Sequence, residues 1–416
     1  MDRRTFLGQA LKHLAFGTLL MGGGPGGLLL GQARAAATGR TLVVVFLRGG
    51  CDGLNMLVPH GEDAYYSLRP TLGIAPPSAG NPLSALDLDG FFGFHPSMAA
   101  LHGLYQNGWV AALPAVHYPS ASRSHFVGQD IIENATAQPS TTGWLGRYLA
   151  TLSGAEQKAL ALTAGVPRSL LGSVPVSALA DLRGLSLAAT TADQDLLSAM
   201  MASEYSRAPI AGHPHDAGLR AAGRQLQIDI AELQNVDALP TANGAAYPAT
   251  AFGRQMRQAA GLIKTRPGTE LVALDLGGWD THRAQGGGQP DGAQAKLLSQ
   301  LSNATAAFYA DLGSAASGVL LLAVTEFGRT AAENSSGGTD HGNASTWLAV
   351  GPMVNGGVHS VAGWPGLAPT QLHEGRYLAQ STDYRDIYGK ILTRHLGVSN
   401  PSGLLAGYAA QSIGFL

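Results

Sequence analysis

Three apolar runs, each broken by glycine and followed closely by a carboxylate or histidine, constrain this chain more than any other feature. Residues 271–276 read LVALDL and lead into Gly277, Gly278, Trp279, Asp280, Thr281 and His282. Residues 319–324 read VLLLAV, and a glycine-rich loop beyond them carries Gly337, Gly338, Thr339, Asp340, His341, Gly342 and Asn343. TLVVVFLR at 41–48 leads into Gly49, Gly50, Cys51 and Asp52. In a parallel α/β sheet, sites form just beyond the carboxyl ends of the strands. Three such ends delivering Asp and His are what a metal site needs. Carboxylate oxygen and imidazole nitrogen suit zinc, manganese or iron better than calcium or magnesium.

The pattern around these runs alternates strand with helix. Strands are expected at 41–47, 109–116, 159–162, 270–276, 318–324 and 346–350, and helices at 95–106, 125–134, 144–152, 251–264, 294–311 and 384–396. That order predicts a three-layer α/β/α fold with a mostly parallel central sheet. Residues 191–236 lose strand signals and read as a helical insertion or cap. Nothing resembling a linker divides the chain, so residues 36–416 are expected to form a single domain.

The first residues read as an address. Arg3 and Arg4 precede an apolar, glycine-rich stretch, and Ala33-Arg34-Ala35 offers small residues at cleavage spacing. That is a twin-arginine export signal over residues 1–35, which implies the twin-arginine translocase as a partner and a periplasmic or secreted product. A membrane anchor needs about 18–20 unbroken apolar residues. Gly22, Gly23, Gly24 and Pro25 interrupt this one, so no stable span is expected after processing. Net charge is −2 and charged residues make up 13%, which gives no footprint for nucleic acid. With Cys51 the only cysteine, no intrachain disulfide can form; Cys51 reads as a buried structural thiol.

Each candidate site residue has an ordinary alternative. Asp52 is either a ligand or a turn residue capping its own loop. Asp280 and His282 alternate in extended chain and can face one ion, or simply bond each other. Asp340 and His341 are adjacent, so joint ligation needs the permissive backbone that their flanking glycines supply. Ser124 is expected at a helix start, among free N–H groups, where an alkoxide nucleophile is favoured; an N-cap serine is the alternative. Ser120 and Ser122 compete with it, and His125 either ligates a metal or orients Ser124. Arg329 can clamp an anionic ester or pair with Glu326 or Glu333 in its loop. His359 is a further ligand candidate downstream of His341.

Taken together, LRGGCDGLN at 47–55, YYSLRP at 65–70, SRSHF at 122–126, GGWDTH at 277–282, EFGRT at 326–330 and GGTDHGN at 337–343 resemble an exported bacterial family. It is the domain-of-unknown-function family 1501, grouped with the alkaline phosphatase and sulfatase superfamily. The Asp-His-Gly-Asn stretch at 340–343 is similar to the metal-binding motif of cofactor-independent phosphoglycerate mutases. The resemblance implies an alkaline phosphatase-like fold and one or two divalent ions, zinc or manganese. It implies that Asp52, Asp340 and His341 hold one ion with Ser124 as nucleophile, and that Asp280 and His282 hold a second. The expected activity is metal-dependent hydrolysis of phosphate or sulfate esters, on an anionic small molecule or glycan. The alternative is a non-catalytic metal-binding or assembly protein that keeps the fold.

Overall fold

The computed structural model describes residues 39–119, 122–136, 140–155, 158–183, 190–213 and 216–416. Residues 1–35, where an export signal is expected, and Ser120 lie outside the described residues.

The first strand shows how the layers arise. In β1 (Thr41–Arg48), Val43, Val45 and Leu47 enter one apolar core while Leu42, Val44 and Phe46 enter the other. Side chains of a strand alternate between faces, so an unbroken apolar run must be covered on both. Full burial of such a side chain is worth roughly 1.5–3 kcal/mol. The remaining strands of the main sheet are β2 (Val110–His117), β3 (Ala159–Leu162), β4 (Ser177–Ala178), β5 (Leu271–Gly277), β6 (Val319–Val324), β7 (Ser345–Val350), β8 (Gly357–Val358) and β9 (Thr382–Asp383). Their order is β8-β2-β7-β6-β1-β5-β3-β4, with β9 also pairing with β2. A small antiparallel sheet joins Leu57–Val58, Gly93–Phe94 and Leu86–Asp87.

Besides short helices at Gly53–Met56 and Asp63–Leu68, the described helices are α1 (Ala99–Gln106), α2 (His125–Asn134), α3 (Trp144–Leu149), α4 (Thr191–Tyr205), α5 (Asp216–Leu233), α6 (Ala251–Thr265), α7 (Ala293–Leu312) and α8 (Tyr384–Lys390). Leu101 of α1, Met256 of α6 and Leu298 and Phe308 of α7 fill the Val43 side. Ile132 of α2, Trp144 of α3 and Tyr388 of α8 fill the Leu42 side. The fold is therefore α/β/α with a mostly parallel sheet.

One strand departs from parallel. β7 runs antiparallel to both β6 and β2. The chain leaving β6 thus returns along its neighbour without crossing the sheet. As a result the segment 325–344 stays at the end where β1, β5 and β6 finish. Arg48 pairs with Gly277 and Phe46 with Val324, so those ends are in register. The segment after β2 reaches the same end, because Val116 pairs with Ser345 at the start of β7.

α4 and α5 occupy most of 191–236. α5 and the turn after it are tied to α6 and its C-cap: Glu232 pairs with Arg266 at 2.9 Å, and Asp237 with Arg257 at 2.9 Å. Among the described residues, no helix is long and apolar enough to cross a membrane.

Candidate metal centre

The centre is built from two loops that close on each other. Backbone bonds run from Thr330 N–H to the Asp340 carbonyl at 2.9 Å and from Gly342 N–H to the Gly328 carbonyl at 2.8 Å, and Thr339 N–H donates to Thr281 at 3.2 Å. Gln285, fully buried, ties the loops below: its Oε1 accepts from Thr281 Oγ1 at 2.9 Å and from Thr339 Oγ1 at 2.7 Å. Gly49 explains the close approach from β1. Its φ is +122°, and a Cβ there would lie 2.6 Å from the Asp280 nitrogen. Only glycine accepts both conditions.

Asp280, His125 and His341 each offer a ligand atom, and these atoms all lie within 4.8 Å of one another. Asp280 Oδ1 is 3.1 Å from His341 Nε2 and 3.1 Å from His282 Nε2, and Asp280 Oδ2 is 3.5 Å from His125 Nε2. Two ligands at about 2.0–2.1 Å from one tetrahedral ion stand about 3.3 Å apart, so the spacing fits one ion among them.

The far sides of the rings settle which nitrogen faces the centre. His125 Nδ1 donates to Glu326 Oε1 at 2.8 Å, His341 Nδ1 to the Arg123 carbonyl at 2.8 Å, and His282 Nδ1 to Asp340 Oδ1 at 3.1 Å. A carbonyl or ionised carboxylate only accepts, so each Nδ1 carries a proton and each Nε2 is the nitrogen turned toward Asp280. His125 Nε2 is buried with no hydrogen-bond partner. In neutral rings those nitrogens offer lone pairs, which together with the carboxylate form a donor set for a cation. Imidazoles fixed through Nδ1 by oxygen are the usual support of a metal ligand.

Charge around the centre is consistent with this. Burial pushes Glu326 upward, but hydrogen bonds from His125 and Gln129 outweigh it and hold the carboxyl below its usual range. Burial also raises Asp280, and Arg329 more than offsets it. Asn334, and then His282, keep Asp340 low. His125 is raised, chiefly by its bond to Glu326, while His341 is lowered, chiefly by burial.

Several expected roles change. Asp52 does not join the centre: both of its oxygens are taken by Arg69, at 2.6 and 2.9 Å, and Gln285 donates to Oδ2 at 2.6 Å. It also accepts the Leu54 N–H, as a loop cap would. Asp340 and His341 diverge, as neighbours in extended chain do. Asp340 orients His282 and accepts from Asn334 at 3.1 Å, while His341 turns to Asp280. Arg329 cannot clamp a substrate. Its side chain has 0% exposure, and its N–H groups go to the carbonyls of Gly49, Gly50, Trp279 and Thr339 and to Asp280 Oδ1. Nor does it pair with Glu326 or Glu333; Glu333 holds the Thr71 and Leu72 N–H groups. His359 lies beside Ala112, near the amino end of β2, with its Nε2 on the Asn355 carbonyl. Cys51 is buried, and that burial, then Asp52, pushes its thiol up.

Ser124 sits at the N-cap position of α2, exposed, and its side chain caps nothing. The ordinary explanation for a serine there is thereby removed. Glu326, Arg69, Gln285 and Asn334 were not singled out as site residues from sequence. Glu326 alone had a signal, since it is a carboxylate just past a strand's carboxyl end, as Asp52 is. Two further cations border the centre: Arg376, 57% exposed and 3.4 Å from Asp340 Oδ2, and Arg123, whose Nη2 pairs with Glu374 at 2.7 Å and whose Nε is buried without a hydrogen-bond partner. Both guanidinium groups lie against the Tyr377 ring, at 3.8 Å for Arg123 and 5.6 Å for Arg376.

Fold and site together define an α/β protein with a histidine–carboxylate centre at the carboxyl end of its sheet. The chain belongs to the family described as "Protein of unknown function (DUF1501)", which matches residues 39–406. No curated protein matches it. Among solved structures, it is similar to a phosphonate monoester hydrolase from Silicibacter pomeroyi, at 9% identity and a TM-score of 0.38, over 90% of this chain and 78% of that one. A phosphonate monoester hydrolase of Agrobacterium radiobacter gives 12% identity and a TM-score of 0.32, over 89% and 78% of the two chains. A mutant alkaline phosphatase gives 11% and 0.32, over 71% and 64%.

Proposed function

We propose that this protein is an exported, metal-dependent hydrolase of phosphate or sulfate esters. The observation that carries the reading is the set of three imidazoles, each held at Nδ1 by an oxygen and aimed through Nε2 at Asp280. His125, His341 and Asp280 would hold the ion, zinc or manganese, with His282 beside them. When bound, such an ion supplies Lewis acidity to an ester oxygen. Ser124 adjoins His125 with a hydroxyl that no cap bond occupies. Its oxygen would form the new bond to phosphorus or sulfur as the ester oxygen departs, and its proton would leave with it. The N-terminus of α2 favours the negative charge at that point. Arg376 and Arg123, rather than Arg329, would hold the anionic group. The export signal at Arg3 and Arg4 supports a periplasmic or secreted location. Residues 36–416 would act as one domain, with the α4–α5 hairpin as its insertion.

The test is turnover of aryl phosphates and aryl sulfates with added zinc or manganese. Ser124→Ala should abolish turnover while retaining the ion, and should lower stability by less than the ~1 kcal/mol of a lost cap. His341→Ala should lose the ion. Full turnover by Ser124→Ala would overturn the nucleophile. A metal-loaded protein inert towards every such ester would instead be a binding or assembly protein.

A further inference from the structure

The family resemblance implies one ion held by Asp52, Asp340 and His341; beside Asp52 the structure puts an arginine. Arg69 Nη1 donates to Asp52 Oδ2 at 2.6 Å and Nη2 to Asp52 Oδ1 at 2.9 Å. The pair is buried, with side-chain exposures of 0% and 1%. Nη1 also donates to Asn55 Oδ1 at 2.6 Å, Nη2 to the Thr330 carbonyl at 3.0 Å, and Nε to the Ala331 carbonyl at 2.9 Å. Thr330 in turn grips Asp340: its hydroxyl accepts the Asp340 N–H at 3.1 Å, and its own N–H donates to the Asp340 carbonyl. The guanidinium therefore stands between Asp52 and the segment that carries Asp340, with all of its nitrogens bonded.

We infer that Arg69 is the permanent occupant of the cation position beside Asp52, so that the chain binds one exchangeable divalent ion, at His125, Asp280 and His341. This rests on the metal reading of that centre. Arginine suits the place because its charge is not lost at any accessible pH and its planar fork matches a carboxylate in two bonds. Asp52, taking three donors and capping Leu54, has no lone pair directed at an ion. The chemistry changes accordingly. Two ions can stabilise the attacking and leaving oxygens together, whereas one ion leaves one of those oxygens to protein donors.

The experiment is metal stoichiometry. The protein would be stripped with chelator, titrated calorimetrically with zinc, desalted and assayed for bound metal. One equivalent is expected in the wild type, one in Asp52→Asn, and none in His341→Ala. Two equivalents in the wild type overturn the inference, whether or not Asp52→Asn loses one. No bound ion in the wild type overturns the metal centre itself and this inference with it, so the two failures are distinct. Arg69→Ala should lose thermal stability because Asp52 is then buried without its partner; should that variant not fold, the wild-type and Asp52→Asn counts still decide.

Discussion

Glu326 accepts three hydrogen bonds on one oxygen, from the Gly49 N–H at 3.0 Å, His125 Nδ1 at 2.8 Å and Gln129 Nε2 at 3.0 Å. It makes a buried charge serve as the fixed end of a histidine. Glu326→Gln keeps the shape but offers an amide that can donate, so the His125 tautomer is no longer imposed. Loss of such a supporting carboxylate typically weakens metal binding by about 10–100-fold. Competition for zinc against a chromophoric chelator should show that weakening, with the far-ultraviolet circular dichroism unchanged. Equal affinity would mean that Glu326 does not set the ring. At this scale the sequence revealed which residues carry chemistry better than which partner each one takes. The alternation of Asp280 and His282 could be read directly, since side chains two apart share a side. The partners of Arg329 could not, because four of them are backbone carbonyls brought in from three other segments. Asp52 misled for the same reason: Arg69 lies seventeen positions away and Gln285 much further.

The α4–α5 hairpin joins the body through α5 and the turn after it, where Ile230, Leu233 and Val236 are buried. No described side chain of α4 is buried, and Leu196 and Leu219 are 57% and 56% exposed. Leu196→Gln and Leu219→Gln should therefore each change unfolding free energy by less than about 0.5 kcal/mol in urea melts, the range for surface sites. A larger loss would place those residues in an interface. Elements whose pattern is local were legible. The helix His125–Asn134 and the strand Ala159–Leu162 stand where their residue patterns put them. The direction of β7 was not, because a strand buried on both faces has the same composition whichever way it runs. Its direction follows from the bonds that zip 328–330 to 340–343, which pattern alone does not reveal.

Across the whole molecule, His95 and His395 link stability to pH. Burial lowers each to about 4, and each holds a backbone carbonyl through Nε2: Gly287 for His95, Thr41 for His395. A histidine whose folded pKa lies below its unfolded value of about 6.5 binds fewer protons when folded. Its contribution is therefore complete above about pH 6.5 and is lost as the pH falls towards 4, by up to about 3 kcal/mol for each group. Thermal melts of the metal-free protein should show the midpoint falling through that window, and His395→Gln should flatten part of the slope. Identical slopes would remove His395 from the linkage. A different consequence follows from the placement of β1, in the order of events during synthesis. Thr41–Arg48 emerges first but pairs with Leu271–Gly277 on one side and Val319–Val324 on the other. Contacts so distant along the chain form slowly, and an unpaired strand edge is exposed until they do. A ribosome that has not reached Val319 has made every residue of one edge and none of its partner. The middle of the sheet, and with it the candidate metal centre, is completed only after Val319–Val324 has been made.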